Sequence, residues 1–398
     1  MRRAAGVGSA AMVSLALGSL SGRAEEKTGV KREIVTRTLG RTGIRVPVVS
    51  MGVMNADNPE LIRQAFLLGV RHFDTAWFYQ RGNNEKMVGR VMKEGGFKRE
   101  DFSIATKIFL SEDPKKTLEG KEAKALFLKR FSESLSRLQM DYVDVLYYHG
   151  VQTKEQVTDP YIIEALEELK GAKKIRFTGI STHVSWPGLL MLAADRGFYD
   201  VALVSYNYSM QGDSSALAAL KHAQSKGMGL VAMKTQCQQA WYRDNLQGEL
   251  KRFYEGKIMH AALLKWVMRH EEFATAVPGF TTFQQMEEDF TVATNLDYTT
   301  EEREFLENRQ VKIALAGNCQ LCGQCQGTCP RGVDIPNLMR THMYAYSYGN
   351  ALKAKTTLDT IDPMRGLNSC ENCVSCSARC VRSVDIAGRI GELKQLYA

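Results

Sequence analysis

The chain has 398 residues, 44% of them hydrophobic and 24% charged, with a formal net charge of +8. That hydrophobic share supports a large core and excludes a disordered chain, and the length suits one barrel with a smaller companion domain. The positive charge lies at the ends and on scattered helix-surface Lys and Arg, with no dense basic run, which argues against a nucleic-acid partner.

The N-terminus begins Met1-Arg2-Arg3 and runs through an Ala/Gly/Leu stretch, Ala4 to Leu20, to Gly22-Arg23-Ala24, a small-x-small cleavage pattern. The stretch is broken by Gly and Ser and is only mildly apolar, which suits a removable leader over a permanent anchor. Residues 1–24 resemble a twin-arginine export signal, so the expected location is the periplasm or the cell exterior, with a cytoplasmic protein as the alternative. No other segment suits a bilayer span, and no permanent membrane span is expected. Gly6-x-Gly8-x-x-Ala11 matches a dinucleotide fingerprint as a string, but no strand precedes it, and it is read as leader composition.

Thr36 to Gly43 reads as a turn-rich hairpin punctuated by Gly40 and Gly43, placed to close the N-terminal mouth of a barrel. Eight candidate strands follow: Val46 to Val53, His72 to Ala76, Phe102 to Ile108, Val143 to His149, Phe177 to Thr182, Val201 to Asn207, Gly229 to Thr235 and Thr275 to Phe280. Helical patterns lie between them at Glu60 to Leu68, Ala123 to Leu138, Tyr161 to Lys170, Ser214 to Gln224, Met259 to Arg269 and Phe283 to Thr294. Strand–helix units in such a series predict an α/β fold, a closed (β/α)8 TIM barrel over residues 34–298. A doubly wound open sheet would want a Gly-rich phosphate turn after its first strand, and Met51-Gly52-Val53-Met54 offers none. Thr299-Thr300-Glu301-Glu302 is a capping box that starts a further helix to about Ala314, so a second domain is expected over residues 299–398.

Eight of the nine cysteines fall after position 318, and only Cys237 lies in the body of the chain, where it is read as structural. They form Cys319-x2-Cys322-x2-Cys325-x3-Cys329-Pro330 and, in an internal duplication, Cys370-x2-Cys373-x2-Cys376-x3-Cys380. The duplicated segments, Asn318 to Arg331 and Ser369 to Arg382, are each followed by Val-Asp-Ile, and Asn337 to Leu358 between them reads mostly as helix. A disulfide framework suits small coreless domains and not a chain with a large core. Structural zinc draws paired ligands from separated knuckles more often than four from one run. The spacing points to two [4Fe-4S] clusters. It resembles two-cluster ferredoxins, of the α-helical type given the long spacer, with Val381 where the motif often has Pro. The resemblance implies crossed ligation: Cys319, Cys322, Cys325 and Cys380 around one cluster, Cys370, Cys373, Cys376 and Cys329 around the other.

The second strand and its sequel, Phe73-Asp74-Thr75-Ala76-Trp77-Phe78-Tyr79 and Gly82-Asn83-Asn84-Glu85, with Ala105-Thr106-Lys107 and Tyr148-His149 at the next two strand ends, resemble the aldo-keto reductase family. Barrel active sites are built at those strand ends. The resemblance implies a catalytic tetrad of Tyr79, Lys107, Asp74 and His149. A carbonyl that accepts hydride needs a proton donor, and a Tyr near pKa 10 is a weak one at neutral pH. The expectation is that the Lys107 ammonium lowers the Tyr79 pKa, that Asp74 holds Lys107 charged, and that His149 orients the substrate oxygen.

The family's dinucleotide pocket is matched less closely. Its Ser-Asn pair and Gln read here Ser181-Thr182 and Leu203, its stacking aromatic reads Met233, and its basic residues for a 2′-phosphate align with Gly279 and Gln285. Ser181, Thr182, Lys234 and Gly279 are the candidate cofactor contacts, and NADPH, NADH or no dinucleotide all stay open. The expected function is an oxidoreductase acting on a small carbonyl or alcohol, with NAD(P)H a candidate cofactor and the clusters relaying electrons to a redox protein partner. The alternative is an electron-transfer protein whose barrel is a non-catalytic scaffold.

Overall fold

The computed structural model describes residues 33–110, 118–236, 259–316, 319–371, 373 and 375–397. The expected export signal over residues 1–24, Cys237 and Asn318 lie outside the described residues. Residues Ile34–Ala398 form one compact unit.

The expected hairpin forms from β1 (Thr36–Thr38) and β2 (Arg45–Pro47), antiparallel around a tight turn at Gly40–Thr42. It packs against β8 (Val201–Ser205) and β9 (Gly229–Met233) at their N-terminal ends: the Arg41 amide donates to the Gly227 carbonyl at 2.7 Å, and its guanidinium to Asp200 at 3.1 Å. Gly40 has φ +50°, and a Cβ there would sit 2.3 Å from the Gly229 amide nitrogen. The single strand expected over Val46 to Val53 is thus divided. Arg45–Pro47 pairs in the hairpin, and only β3 (Met51–Gly52) joins the barrel, because the chain turns from one sheet into the other between them.

β3, β4 (His72–Asp74), β5 (Ser103–Ile108), β6 (Val143–Val151), β7 (Ile175–Thr182), β8, β9 and β10 (Thr275–Ala276) form one eight-stranded sheet in sequence order. Every neighbouring pair is parallel. Bridges Val49 to Ala276 and Gly52 to Gly279, with the Ser50 amide on the Ala276 carbonyl at 2.8 Å, join the last strand to the first. The result is a nearly closed (β/α)8 barrel. Its interior is filled by side chains such as Ala105, Val145, Tyr147, Leu203 and Val231, while a larger apolar layer lies between strands and helices.

The helices follow the periodicity, with Pro59–Leu68, Gly120–Leu138, Pro160–Gly171, Ser214–Ser225, His260–Met268 and Phe283–Thr291 at the expected places. The capping box at Thr299 forms on both sides: the Glu302 amide donates to Thr299 Oγ1 at 3.1 Å and the Thr299 amide to Glu302 Oε2 at 2.8 Å. The helix it starts ends at Glu307, short of Ala314, because the Asn308 side chain accepts from the Gln310 and Val311 amides and caps a second helix, Arg309–Ala316. Phe305, Leu306, Val311 and Leu315 pack on Leu263 of the His260–Met268 helix.

The cysteine segments surround a separate small core in which Val333, Ile335, Val384 and Ile386 meet. In both copies the Asp of Val-Asp-Ile accepts from a later amide, Asp334 from Asn337 at 3.2 Å and Asp385 from Gly388 at 2.9 Å, so the sequence duplication is a duplicated turn into a helix. The spacer is helical at Ile335–His342, widens to a π-turn at Met343–Ser347, and is helical again at Ala351–Asp359. Among the described residues no helix is long and apolar enough to cross a membrane.

The cysteine-rich part sits on the strand ends of the barrel. Ser185, just past β7, donates its amide to the Leu321 carbonyl at 2.9 Å and its hydroxyl to the Cys322 carbonyl at 3.1 Å. Asn337 donates to Gln152 at 3.0 Å and Asn350 to Asn55 at 2.7 Å. Gly40→Ala should destabilise the protein by about 2–4 kcal/mol, from an unfavourable left-handed φ together with a backbone clash. Urea denaturation followed by circular dichroism checks this, and an unchanged midpoint would count against the close approach of the hairpin to β9.

Candidate active site at the C-terminal strand ends

Each tetrad side chain comes from a different barrel unit, and the pleat of successive parallel strands brings them together. Asp74 ends β4, Lys107 lies next to last in β5, His149 lies near the end of β6, and Tyr79 follows β4 in a loop. Gln80 (φ 50°), Arg81 (φ 55°) and Gly82 (φ 84°) are consecutive left-handed residues that turn this loop into the Asn83–Glu94 helix. Two of them carry side chains, a strain of about 1–2 kcal/mol each that the fold holds at a site. Asn84 and Glu85 brace the turn from below: Thr75 donates to Asn84 at 2.7 Å, Asn84 to the Val53 carbonyl at 2.6 Å, and Thr106 to Glu85 at 2.6 Å.

Lys107 is the centre of the arrangement, and its side chain is 1% exposed. Its Nζ donates to Asp74 Oδ1, to the Thr75 carbonyl at 2.6 Å and to the Tyr79 hydroxyl at 3.2 Å. Three acceptors match the three N–H donors of an ammonium. Burial pulls Lys107 down and Asp74 up, and their attraction opposes both shifts.

The expected acidification of Tyr79 is not what the structure produces. Burial, then the Asp74 carboxylate, then Tyr344 hold the phenol well above its ordinary value. The correction has a physical cause: the Lys107 charge is shared with Asp74, whose own charge opposes phenolate, and the whole group is desolvated. Because the Tyr79 oxygen accepts from Lys107, its proton remains free for donation into the cavity. His149 lies with its ring centroid 6.2 Å from that of Tyr79 and its Nδ1 buried without a hydrogen-bond partner. Burial first, then Lys107, Lys353, Arg340 and Lys234, hold it well below its ordinary value, so it is neutral at physiological pH.

Two adjoining cavities open on these groups, about 900 and 1150 Å³ with their open mouths included. Lys234 and Gly279, with Leu203 and Met233, wall the first. Ser181 and Thr182 are not among the wall residues of either cavity; they end β7 buried, and neither hydroxyl has a hydrogen-bond partner. Their successor His183 lines both cavities, with its Nδ1 3.3 Å from Lys234 Nζ. His183 was missed in the sequence, although the strand-end position that singled out His149 applies to it too. Tyr344, Lys353 and Arg340 were missed as well. They come from the cysteine-rich part and reach the barrel mouth: Tyr344 OH accepts from Lys234 at 3.2 Å, and Lys353 Nζ lies 3.9 Å from the Phe78 ring centroid.

In the cysteine segments, Cys319, Cys322, Cys325 and Cys380 line a single cavity of about 360 Å³, its mouth included. The Leu321 amide donates to Cys319 Sγ and the Arg382 amide to Cys380 Sγ, each at 3.4 Å. Burial pushes the Cys319 thiol up to about 12 and the Cys325 thiol up to about 11, and Cys325 feels both Cys322 and Cys380. Cys370 is raised chiefly by burial, with Lys394 opposing the shift and Cys373, Cys329 and Cys376 nearby. No disulfide joins the described cysteines. Among the described residues no three His, Cys, Asp or Glu side chains converge as ligands of a single metal ion.

A profile of the Aldo/keto reductase family matches residues 50–253. The chain belongs to that family, and it is an aldo-keto-reductase-type oxidoreductase. L-galactose dehydrogenase of Arabidopsis thaliana is 29% identical over 67% of this chain and 90% of its own. L-glyceraldehyde 3-phosphate reductase of Escherichia coli O157:H7 is 26% identical over 67% and 89%. The fold is shared with an aldo-keto reductase of Bacillus halodurans in its holo form, at TM-score 0.56 and 23% identity over 70% of this chain and all 100% of that one. It is shared also with one of Klebsiella pneumoniae in complex with NADPH, at TM-score 0.54 and 22% identity over 70% and 96%.

Removing Lys107 would leave the Asp74 carboxylate buried without its partner. Lys107→Met should therefore cost about 3–5 kcal/mol of stability, measured by urea denaturation. A loss under about 1 kcal/mol would show the pair to be solvated like a surface ion pair.

Proposed function

We propose that the protein interconverts a carbonyl and an alcohol on a small substrate at the Tyr79 hydroxyl, and that two [4Fe-4S] clusters in the cysteine segments connect it to a redox protein. The observation that carries this reading is the Lys107 ammonium held between Asp74 and the Tyr79 oxygen. Tyr79 gives its proton to the substrate oxygen, and the phenolate that develops is met by an ammonium already placed 3.2 Å away. A raised phenol pKa is tolerable because the alkoxide that develops on the substrate is a stronger base than phenolate, and Lys107 stabilises the phenolate as it forms. Neutral His149 orients the substrate oxygen by a hydrogen bond.

A nicotinamide would have apolar walls in Leu203 and Met233; when bound it would supply the hydride. NADPH in the Klebsiella pneumoniae neighbour supports this class of cofactor. For the clusters, Cys319, Cys322, Cys325 and Cys380 share one cavity, with amide donors on two of the sulfurs, a feature that tunes cluster potentials. Cys370, Cys373, Cys376 and Cys329 would hold the second. A cubane spreads its thiolates further apart than a single ion does, consistent with four cysteines around one cavity. Export by a twin-arginine-type signal over residues 1–24 fits a protein that takes up its clusters before translocation; fractionation of a chain carrying Arg2→Lys and Arg3→Lys tests it.

Tyr79→Phe should lower kcat for carbonyl reduction by about 10²–10⁴-fold with the clusters retained. Unchanged electron transfer in that variant would favour the scaffold reading. The proton donor must be in its acid form, and its raised pKa delays loss of that form, so kcat on an uncharged carbonyl should fall only above about pH 10, with no limb near the ordinary His value of about 6.5. Anaerobically isolated protein should contain about eight iron and as much sulfide per chain, and Cys380→Ser should lose about half of each; zinc in their place would overturn the cluster reading.

A further inference from the structure

Among the described residues, three cations at the barrel mouth make no ion pair with a carboxylate. Arg340, on the Ile335–His342 helix, is 6% exposed, and its Nε makes no hydrogen bond. Lys353, on the Ala351–Asp359 helix, lies with Nζ 3.9 Å from the Phe78 ring centroid and 5.3 Å from that of Tyr344. Lys234 reaches the other cavity wall, its Nζ 5.2 Å from the same Tyr344 ring. The nearby acids are otherwise engaged: Asp74 by Lys107, Asp359 by Lys355, and Asp334, which faces Arg340, by Asn337. Burial lowers Lys234 to about 7 and holds Lys353 well below its ordinary value, with the other cations adding to both shifts and no acid offsetting them.

Gathering cations without a paired carboxylate at a largely buried cavity mouth is unfavourable unless a ligand brings the opposite charge. The cations border the groups that would meet a substrate, since Lys353, His149 and His183 line both cavities. Arg340 lines only the cavity walled by Trp77, Phe78 and Phe109, while Leu203, Met233 and Gly279 line only the other. Arg340 thus faces the cavity away from the proposed nicotinamide walls.

We propose that Arg340 and Lys353 bind the carboxylate or phosphate of an anionic carbonyl substrate, so that the cysteine-rich part supplies the substrate specificity of the barrel. The inference rests on the proposed carbonyl chemistry for the word substrate, but the anion site itself is measured by binding. Arg340 presents a planar fork suited to bidentate recognition of either anion, with Lys353 as a second point charge.

The test uses the full chain with its cofactors retained and calorimetric binding of 2-oxobutyrate, methyl 2-oxobutyrate, inorganic phosphate and NADPH. The acid should bind at least about 10-fold more tightly than the ester, and phosphate should compete with it. Arg340→Met and Lys353→Met should each weaken the acid about 10-fold or more and leave the ester unchanged, Arg340→Lys should recover part of the loss, and exposed Lys129→Met should change nothing. Equal binding of acid and ester, no competition by phosphate in the unmodified protein, or normal acid binding in folded Met variants would overturn the proposal. A loss confined to NADPH would also overturn it, by assigning the cations to a dinucleotide phosphate. Failure of the Tyr79 chemistry would appear as turnover that survives Tyr79→Phe, with anion binding intact.

Discussion

The site depends on one buried ammonium. Lys107 Nζ has three donors and three acceptors around it, and each acceptor comes from the β4 strand end or its loop. That geometry fixes the phenol oxygen, neutralises the carboxylate and leaves one proton unshared. A lysine in this position must be carried by a strand whose neighbour ends in a carboxylate. The parallel register of β4 and β5, which pairs Asp74 with Ala105, provides that arrangement. Without the ammonium the buried Asp74 charge would lose its ion-pair partner, so the same contact serves both folding and chemistry.

The raised phenol pKa changes how the lysine is understood. Desolvation dominates every titratable group at the mouth, pushing Tyr79 up and His149 and Lys107 down. A site closed over by protein favours neutral forms at rest, and prearranged charge matters most where new charge appears during reaction. Burial here owes much to the cysteine-rich part, whose Tyr344 and Lys353 line the walls of both cavities. The barrel and the cysteine segments thus meet at the reactive end of the molecule, through Ser185 on Leu321 and Cys322, Asn337 on Gln152 and Asn350 on Asn55.

That contact is the part of the architecture with the greatest consequence for function. A barrel of this family has its chemistry at the strand ends, and whatever covers those ends selects what enters. Here the cover is a helix–π-turn–helix that lies between the two cysteine repeats in the chain. The spacer packs both against the small core under the cysteines and against the barrel mouth, where Tyr344 lies.

The barrel and the cysteine repeats were legible in the sequence from local period and fixed spacing, and the four tetrad residues from the family resemblance of Phe73 to Glu85 and of the next two strand ends. Thr299 was legible as a cap by its distance from Glu302. Only the tertiary structure decided that the first predicted strand divides between two sheets, that Asn308 stops a helix, and that Tyr79 is held above its ordinary pKa. It alone placed Arg340, Tyr344 and Lys353 against His149, since those residues are far along the chain from the barrel strands and no period or motif links them. Proton affinity and substrate charge depend on burial summed over distant segments, and burial is a property of the packed molecule.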